Sequence, residues 1–534
     1  MRTTRWLTTL ALMGALSLNL SACGGSSEEN DPIEADAGWL EPDAGPVEDD
    51  AGEPDAGPAE IDPTQPSAAS EAALKKMLPI AEYMMEGQWV DGMVVAAVTP
   101  DGMSVRGLGS LADSAAPENE TFEIASITKI FVGMALASMT NDGIVSPDTK
   151  LTDCMPDGYS TEGIEDITLG MLATHSAGFG HDQDNIRDIA EAVGGEDYLE
   201  SDIFSYVSVD DIWNSLTLTS RTRVGQEQYS NYGVAVLGHA LAVCDHEASW
   251  KDVIQKRVTG VLGLGHTGID VPLTTQGYDK SLTALAPWTW TLDGLGPCGG
   301  FKSNVTDLGR LAQLVMSQES YPGSDMVNLS VQPLKPYSEE YGMNWMLGDS
   351  MMESVMEREE TKALFRKMIW HGGVSDTYGT YLGISRDKNV AVILLNNSSS
   401  ITAQIPGAFS MARQMGESPE SIQENLEWYL PPVAELTEEK LKKFEGTYKI
   451  SGMAPWPVTL TVENGLDGQL QLWADQPGYY GRFRLWPQTE QIAVFRYAFA
   501  SYFEFNSTDE DHFQKGEFYD ALTGQYLTVI RAQE

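Results

Sequence analysis

The stretch Phe122-Glu123-Ile124-Ala125-Ser126-Ile127-Thr128-Lys129 decides how the rest of the chain is read. Its first four residues are extended in character. A helix is predicted to begin at Ser126, with apolar residues continuing through Met134, Leu136 and Met139 to the stop signal Asn141-Asp142-Gly143. A serine at a helix start feels the positive end of the dipole, which favours an alkoxide-like transition state on its oxygen. A lysine three residues later lies on the same face one turn on, so its amine reaches the serine oxygen. That pairing suits a nucleophile with its own proton acceptor.

Ser-x-x-Lys alone is weak, because Ser385-Arg386-Asp387-Lys388 repeats it. The second copy falls between two β-like runs, 378–384 and 390–396, so it reads as a hairpin turn, and context selects Ser126. Working outward, Tyr229-Ser230-Asn231 is the only Tyr-x-Asn of the chain and precedes a helix predicted over 234–241. A phenol near the lysine can relay a proton to a leaving group, and the Asn231 amide can orient the lysine or a substrate carbonyl. His371-Gly372-Gly373 runs into the 378–396 hairpin, whereas its decoy His266-Thr267-Gly268 precedes no comparable strand pair.

Ser-x-x-Lys, Tyr-x-Asn and His-x-Gly in this order resemble the serine β-lactamase and DD-peptidase superfamily, in its class C-like branch of β-lactamases, DD-carboxypeptidases, D-aminopeptidases and esterases. The likeness extends to Leu172 through Phe179, to Gly299-Gly300-Phe301-Lys302-Ser303 with Asp307-Leu308, to Tyr341 through Trp345, and to His371 through Ile384. It covers about residues 67–430. It implies an α+β fold, an antiparallel sheet flanked by helices beside a helical lobe, with the site in the cleft between them. It further implies that Ser126 is the acylated nucleophile and that Lys129 and Tyr229 share the acid and base work, with the choice of base left open. Asn231 would support Lys129, His371 would complete the catalytic set, Gly372 and Gly373 would contact substrate, and the backbone N–H groups of Ser126 and Val374 would form the oxyanion hole. No cofactor or metal is implied.

The expected function is acyl transfer from small esters, amides or peptidoglycan-derived peptides. The alternatives are a β-lactamase, or a non-catalytic envelope protein that keeps the fold for binding. Many β-lactamases of the superfamily carry lysine where this chain has His371, and a neutral imidazole gives an anionic substrate little charge to hold. Arg366 or Lys367, just upstream, is a candidate to supply that charge instead. No Gly-x-Ser-x-Gly elbow and no phosphate-binding glycine loop compete with this reading.

The N-terminus predicts export. Arg2 and Arg5 precede a mostly apolar run ending in Leu20-Ser21-Ala22-Cys23, which resembles a lipobox; residues 1–22 would be removed and Cys23 would carry lipid. Residues 23–66 then read as a disordered acidic spacer, in which Asp-Ala-Gly recurs from Asp36, Asp43, Asp50 and Asp55. The expected place is therefore the bacterial cell envelope, lipid-anchored, facing the periplasm or on the outer membrane. The 78 Asp and Glu against 33 Lys and Arg of the 534 residues give −45, which argues against a nucleic-acid partner. Beyond Cys23 there remain Cys154, Cys244 and Cys298, enough for at most one disulfide and one free thiol. His175 and His181 lie close in sequence to Asp182 and Asp184 but show no metal-ligand spacing, and a structural role is expected for them.

Residues 67–431 are expected to form the hydrolase domain, bounded by Pro431-Pro432. Residues 436–534 alternate in about eight short runs and predict a small antiparallel barrel. Phe444-Glu445-Gly446-Thr447-Tyr448 resembles the opening of the lipocalin-like domain often attached to this family. Trp473, Tyr479, Tyr480, Phe483 and Trp486 are candidates to line a pocket in it, with packing into the barrel core the favoured expectation.

Overall fold

The computed structural model describes residues 65–532, apart from 88, 182–183, 195–199, 280–281, 318, 350–351, 354–355, 400–402, 431–433, 435, 452–456, 465–469, 477–480, 488–490, 496–500, 509–511 and 521–524. The export segment, Cys23 and most of the acidic spacer lie outside the described residues, as do Tyr479 and Tyr480.

Helix α1 (Ala68–Glu86) opens on a capping box in which Ser67 and Ser70 satisfy each other's backbone N–H groups. Pro79 lies inside the helix, which runs on to Glu86. Strands β1 (Gly92–Thr99) and β2 (Gly102–Gly109) form an antiparallel hairpin. β3 (Phe122–Glu123) is short, and α2 (Thr128–Asn141) follows it. Helix α3 (Asn231–Cys244) follows the Tyr-x-Asn segment, and Ser230 caps it by accepting from the Gly233 N–H. Then come β4 (Lys302–Ser303), α4 (Val305–Met316), β5 (Met346–Leu347), β6 (Ile369–Val374), β7 (Gly379–Ser385) and β8 (Val390–Asn396). Helices α5 (Gln404–Met415) and α6 (Pro419–Tyr429) close this part of the chain.

The main sheet has the order β2-β1-β8-β7-β6-β5 and is antiparallel throughout. Its strands carry apolar residues at nearly every position because both faces are covered. On β1, Val94, Ala96 and Val98 pack toward α2, α3 and α4, while Met93, Val95 and Ala97 pack toward α1, α5 and α6. The pairing of β3 with β4 joins the start of α2 to the segment before α4. In the helical lobe a disulfide links Cys154 to Cys244, and Cys298 is the buried free thiol.

Beyond α6, eight strands close into a barrel: β9 (Gly446–Ile450), β10 (Val458–Asn464), β11 (Leu470–Gln476), β12 (Gly481–Pro487), β13 (Ile492–Phe495), β14 (Ser501–Thr508), β15 (Phe513–Asp520) and β16 (Gln525–Arg531), with β9 pairing both β10 and β16. Side chains fill its core: Phe444, Tyr448, Phe503, Phe505 and Phe513 pack with Leu460, Leu472 and Leu485. The rings of Phe505 and Phe513 lie 4.8 Å apart. Leu472 and Leu485 point inward, so their chain neighbours Trp473 and Trp486 point to the other side of the sheet. Those two tryptophans are buried, outside the cluster of Phe444, Tyr448 and Phe505 that fills the barrel. Arg484 stacks on Trp486 at 5.0 Å.

Candidate active site

Ser126 sits where β3 gives way to α2. The chain turns there through Ala125, whose φ of +44° lies in the left-handed region that non-glycine residues rarely occupy. Such a conformation costs on the order of 1–3 kcal/mol, and local strain of this kind recurs at functional sites. The predicted helix start is a 3-10 turn, Ala125–Ile127, that leads directly into α2. Ser126 remains partly exposed while its neighbours are buried.

Lys129 is fully buried among apolar residues, and each of its three donor positions meets an oxygen. Its Nζ lies 2.9 Å from Ser126 Oγ, 2.8 Å from Asn231 Oδ1 and 2.6 Å from the Cys298 carbonyl oxygen. The same Nζ is 5.0 Å from the centroid of the Tyr229 ring. The structure thus brings Ser126, Lys129, Tyr229 and Asn231 together, as the three-motif reading required. The Cys298 carbonyl was not anticipated. A main-chain acceptor leaves no side-chain signature, and only the dense Gly296-Pro297-Cys298-Gly299-Gly300 run marks an unusual turn there.

His371 lies on β6 with 1% of its surface exposed, and its Nδ1 is 2.6 Å from the Gly372 carbonyl oxygen. A carbonyl can only accept, so Nδ1 carries the proton and Nε2 is left as the acceptor. Burial, reinforced by the nearby Lys129 charge, lowers the imidazole's pKa to about 3. The Tyr229 and His371 rings are 6.3 Å apart.

The two glycines after it differ. A Cβ on Gly372 would find its nearest neighbour at 3.5 Å, an ordinary contact. One on Gly373 would fall 3.0 Å from Ser126 N and closer still to the Ile124 carbonyl oxygen, so β6 approaches the Ser126 turn too tightly for any side chain there. Thr380 on β7 donates to the Ile124 oxygen at 3.0 Å and pins the same junction. Val374 ends β6 beside this contact and is 43% exposed.

Arg366 and Lys367 do not face this region. Arg366 Nε donates to Glu353 at 2.8 Å, and Lys367 Nζ lies 3.0 Å from Asp387, in the turn at the far end of β7. The role considered for them is therefore corrected: both cations lie seven or eight positions before Val374, and each is engaged by a carboxylate. The decoys also stay apart. Ser385 ends β7 with Asp387 and Lys388 in the turn that follows, and His266 is exposed beside Asp307.

Two histidines join the site instead. The His175 and His181 rings lie 4.5 Å and 5.6 Å from the Tyr229 ring, at 32° and 27° to it. The structural role expected of His175 and His181 is thus placed beside Tyr229.

The Beta-lactamase family model matches residues 80–406, more than half of the chain. This chain belongs to the Beta-lactamase family. It is a serine hydrolase of the β-lactamase and transpeptidase superfamily. A curated "Beta-lactamase" of Yersinia enterocolitica is 24% identical over 350 residues, 59% of this chain and 84% of that one. Among solved structures, an octameric penicillin-binding protein homologue from Pyrococcus abyssi aligns with a TM-score of 0.52 at 19% identity, covering 85% of this chain and 99% of its own. A β-lactamase/D-alanine carboxypeptidase from Pseudomonas syringae aligns with a TM-score of 0.50 at 15% identity, covering 66% and 99%. For a Beta-lactamase family chain, these structural likenesses show the shared fold.

Proposed function

We propose that the chain hydrolyses small esters or amides, in the manner of an esterase, D-amino-acid peptidase or DD-carboxypeptidase, through an acyl-enzyme on Ser126. The observation that carries the reading is the hold on Lys129: Asn231 and the Cys298 carbonyl fix its amine, and its remaining position faces Ser126 Oγ. With Lys129 as the neutral amine, its lone pair turned to the serine, Ser126 Oγ attacks the substrate carbonyl carbon and passes its proton to Lys129 Nζ. The oxyanion forms beside the Ser126 and Val374 N–H groups, donors that are typically worth about 3–4 kcal/mol of barrier each. Collapse expels the alcohol or amine, which takes a proton through Tyr229. Water then attacks the ester on Ser126 by the reverse proton path, releasing the acid.

The preference for neutral substrates is supported by the charges around the cleft. His371 is held neutral by burial, and Arg366 and Lys367 are bound to carboxylates elsewhere. Residues 67–534 carry 64 acids against 31 bases, a net −33 that repels an anion at low salt. The test compares kcat/KM for a short-chain p-nitrophenyl ester, a D-alanine amide, a D-Ala-D-Ala peptide and nitrocefin. The ester and the D-alanine amide, which carry no carboxylate, are expected to lead. Nitrocefin turnover near roughly 10⁶ M⁻¹s⁻¹, within the range of dedicated enzymes, with poor turnover of the neutral substrates would overturn the reading. In the same proposal Cys23 is lipidated and the acidic spacer holds the enzyme off the membrane of the cell envelope; the Leu20-Ser21-Ala22-Cys23 pattern supports this, and detergent phase partition of wild type and Cys23→Ser tests it.

A further inference from the structure

We propose that His175 is a positioning residue that sets the Tyr229 phenol over Lys129, acting on the proton path without touching the reacting atoms. The proposal rests on the role given to Tyr229 above.

His175 grips the segment around Tyr229 in three ways. Its carbonyl oxygen accepts from the Gln228 N–H at 2.7 Å, one residue before the tyrosine. Its ring Nδ1 accepts from the Ser230 N–H at 3.1 Å, one residue after. Its ring lies against the phenol itself, tilted by 32° at 4.5 Å. The surrounding loop extends the grip, because Asn231 N–H donates to the His181 carbonyl oxygen at 3.0 Å and Gly225 N–H to Ser176 O at 2.9 Å. The 175–181 loop is thus a template on which the Tyr229-Ser230-Asn231 segment is laid down.

The chemistry of the ring fits this role. A backbone N–H can only donate, so Nδ1 must carry the lone pair and Nε2 the proton. His175 is 2% exposed, and burial, then the charge of Lys129, hold its pKa well below the ordinary histidine value. The ring therefore stays neutral and the Nδ1 acceptor persists across the working range. The backbone at His175 has a left-handed φ of +58°, and the residue presents both its carbonyl and its ring to the same segment. No hydrogen bond links His175 to Ser126 or Lys129 among the described residues, so its influence on the reaction passes through Tyr229.

The test is a double-mutant cycle between His175→Asn and Tyr229→Phe, with kcat and KM measured on a D-alanine amide, whose amine must take a proton to leave, and active sites counted by fluorophosphonate titration. Asparagine tolerates the left-handed backbone and offers an oxygen to the Ser230 N–H, so the fold is kept while the ring is lost. The expected result is a fall in kcat per titrated site of about tenfold to a hundredfold with KM little changed, the scale of a misplaced group of about 1 Å. In the Tyr229→Phe background the same substitution should cost almost nothing, because residues acting through one another are not additive. An equal cost in both backgrounds overturns the proposal, as does a lowered melting temperature with full kcat per titrated site. Wild-type kcat in Tyr229→Phe alone would remove the role of Tyr229, and this proposal with it.

Discussion

Replacing His371 by glutamine should flatten the acid side of the stability profile. The folded imidazole titrates at about 3 because it is buried and lies near Lys129, whereas in the unfolded chain it returns to about 6.5. Between those values the unfolded state binds a proton that the folded state does not, so stability rises with pH there. His371's contribution is fully present above about pH 6.5 and is lost as the pH falls toward about 3. From pH 7 to pH 5 the unfolded-state protonation alone gives a loss of about 2 kcal/mol. The assay is urea unfolding of wild type and His371→Gln at both pH values. Carboxylates and His175 titrate in both proteins and cancel in the comparison, so the variant should lose about 2 kcal/mol less than wild type. Equal losses would mean that His371 is not held neutral, and the charge argument for neutral substrates would fail with it.

Three other outcomes follow from particular contacts. Gly373→Ala should reduce acylation about tenfold or more with little change in KM, because the new methyl pushes β6 away from Ser126 N and disturbs the paired N–H donors; wild-type single-turnover rates would refute this. Replacing Cys154 and Cys244 together by serine should lower stability by about 4–5 kcal/mol in the chain-entropy account, since the bond closes a loop of sequence separation 90; a denaturation midpoint unchanged from the oxidised protein would refute it. Limited proteolysis should cut near residues 430–440 and leave a barrel fragment, whereas an intact chain and an insoluble truncation at that point would make the two parts one cooperative unit.

Much of the fold was legible because the periods in the sequence match what each element buries. The barrel strands alternate, since one face packs on Phe505 and Phe513 and the other does not, and each predicted run falls on a strand. Strands β7 and β8 were legible as the β-like runs 378–384 and 390–396. The Ser126 turn, Lys129 and the Tyr229-Ser230-Asn231 entry to α3 were legible because each is local: a side chain and the helix start beside it.

What stayed hidden is carried by the backbone or by distance along the chain. The Cys298 oxygen reaches Lys129 across 169 residues through a group that every residue possesses. His175 acts on a segment 55 residues away, and its spacing to His181 matched no ligand pattern, so it read as a structural loop residue. The pairing of Cys154 with Cys244 could not be chosen among three thiols without the packing of α3 against the segment that holds Cys154. Arg366 and Lys367 are near His371 in sequence yet at the wrong end of β6, because an extended strand carries the chain about 3.3 Å per residue away from them.

The central claim is that Ser126 is the residue acylated. Incubation of the chain from residue 67 with a fluorophosphonate, followed by peptide mass spectrometry, measures it directly. The account predicts a single adduct on the peptide containing Ser126, absent from Ser126→Ala and slowed about a hundredfold in Lys129→Met, the usual scale for loss of a general base. Labelling that persists in Ser126→Ala, or an adduct mapped to another residue, would contradict it.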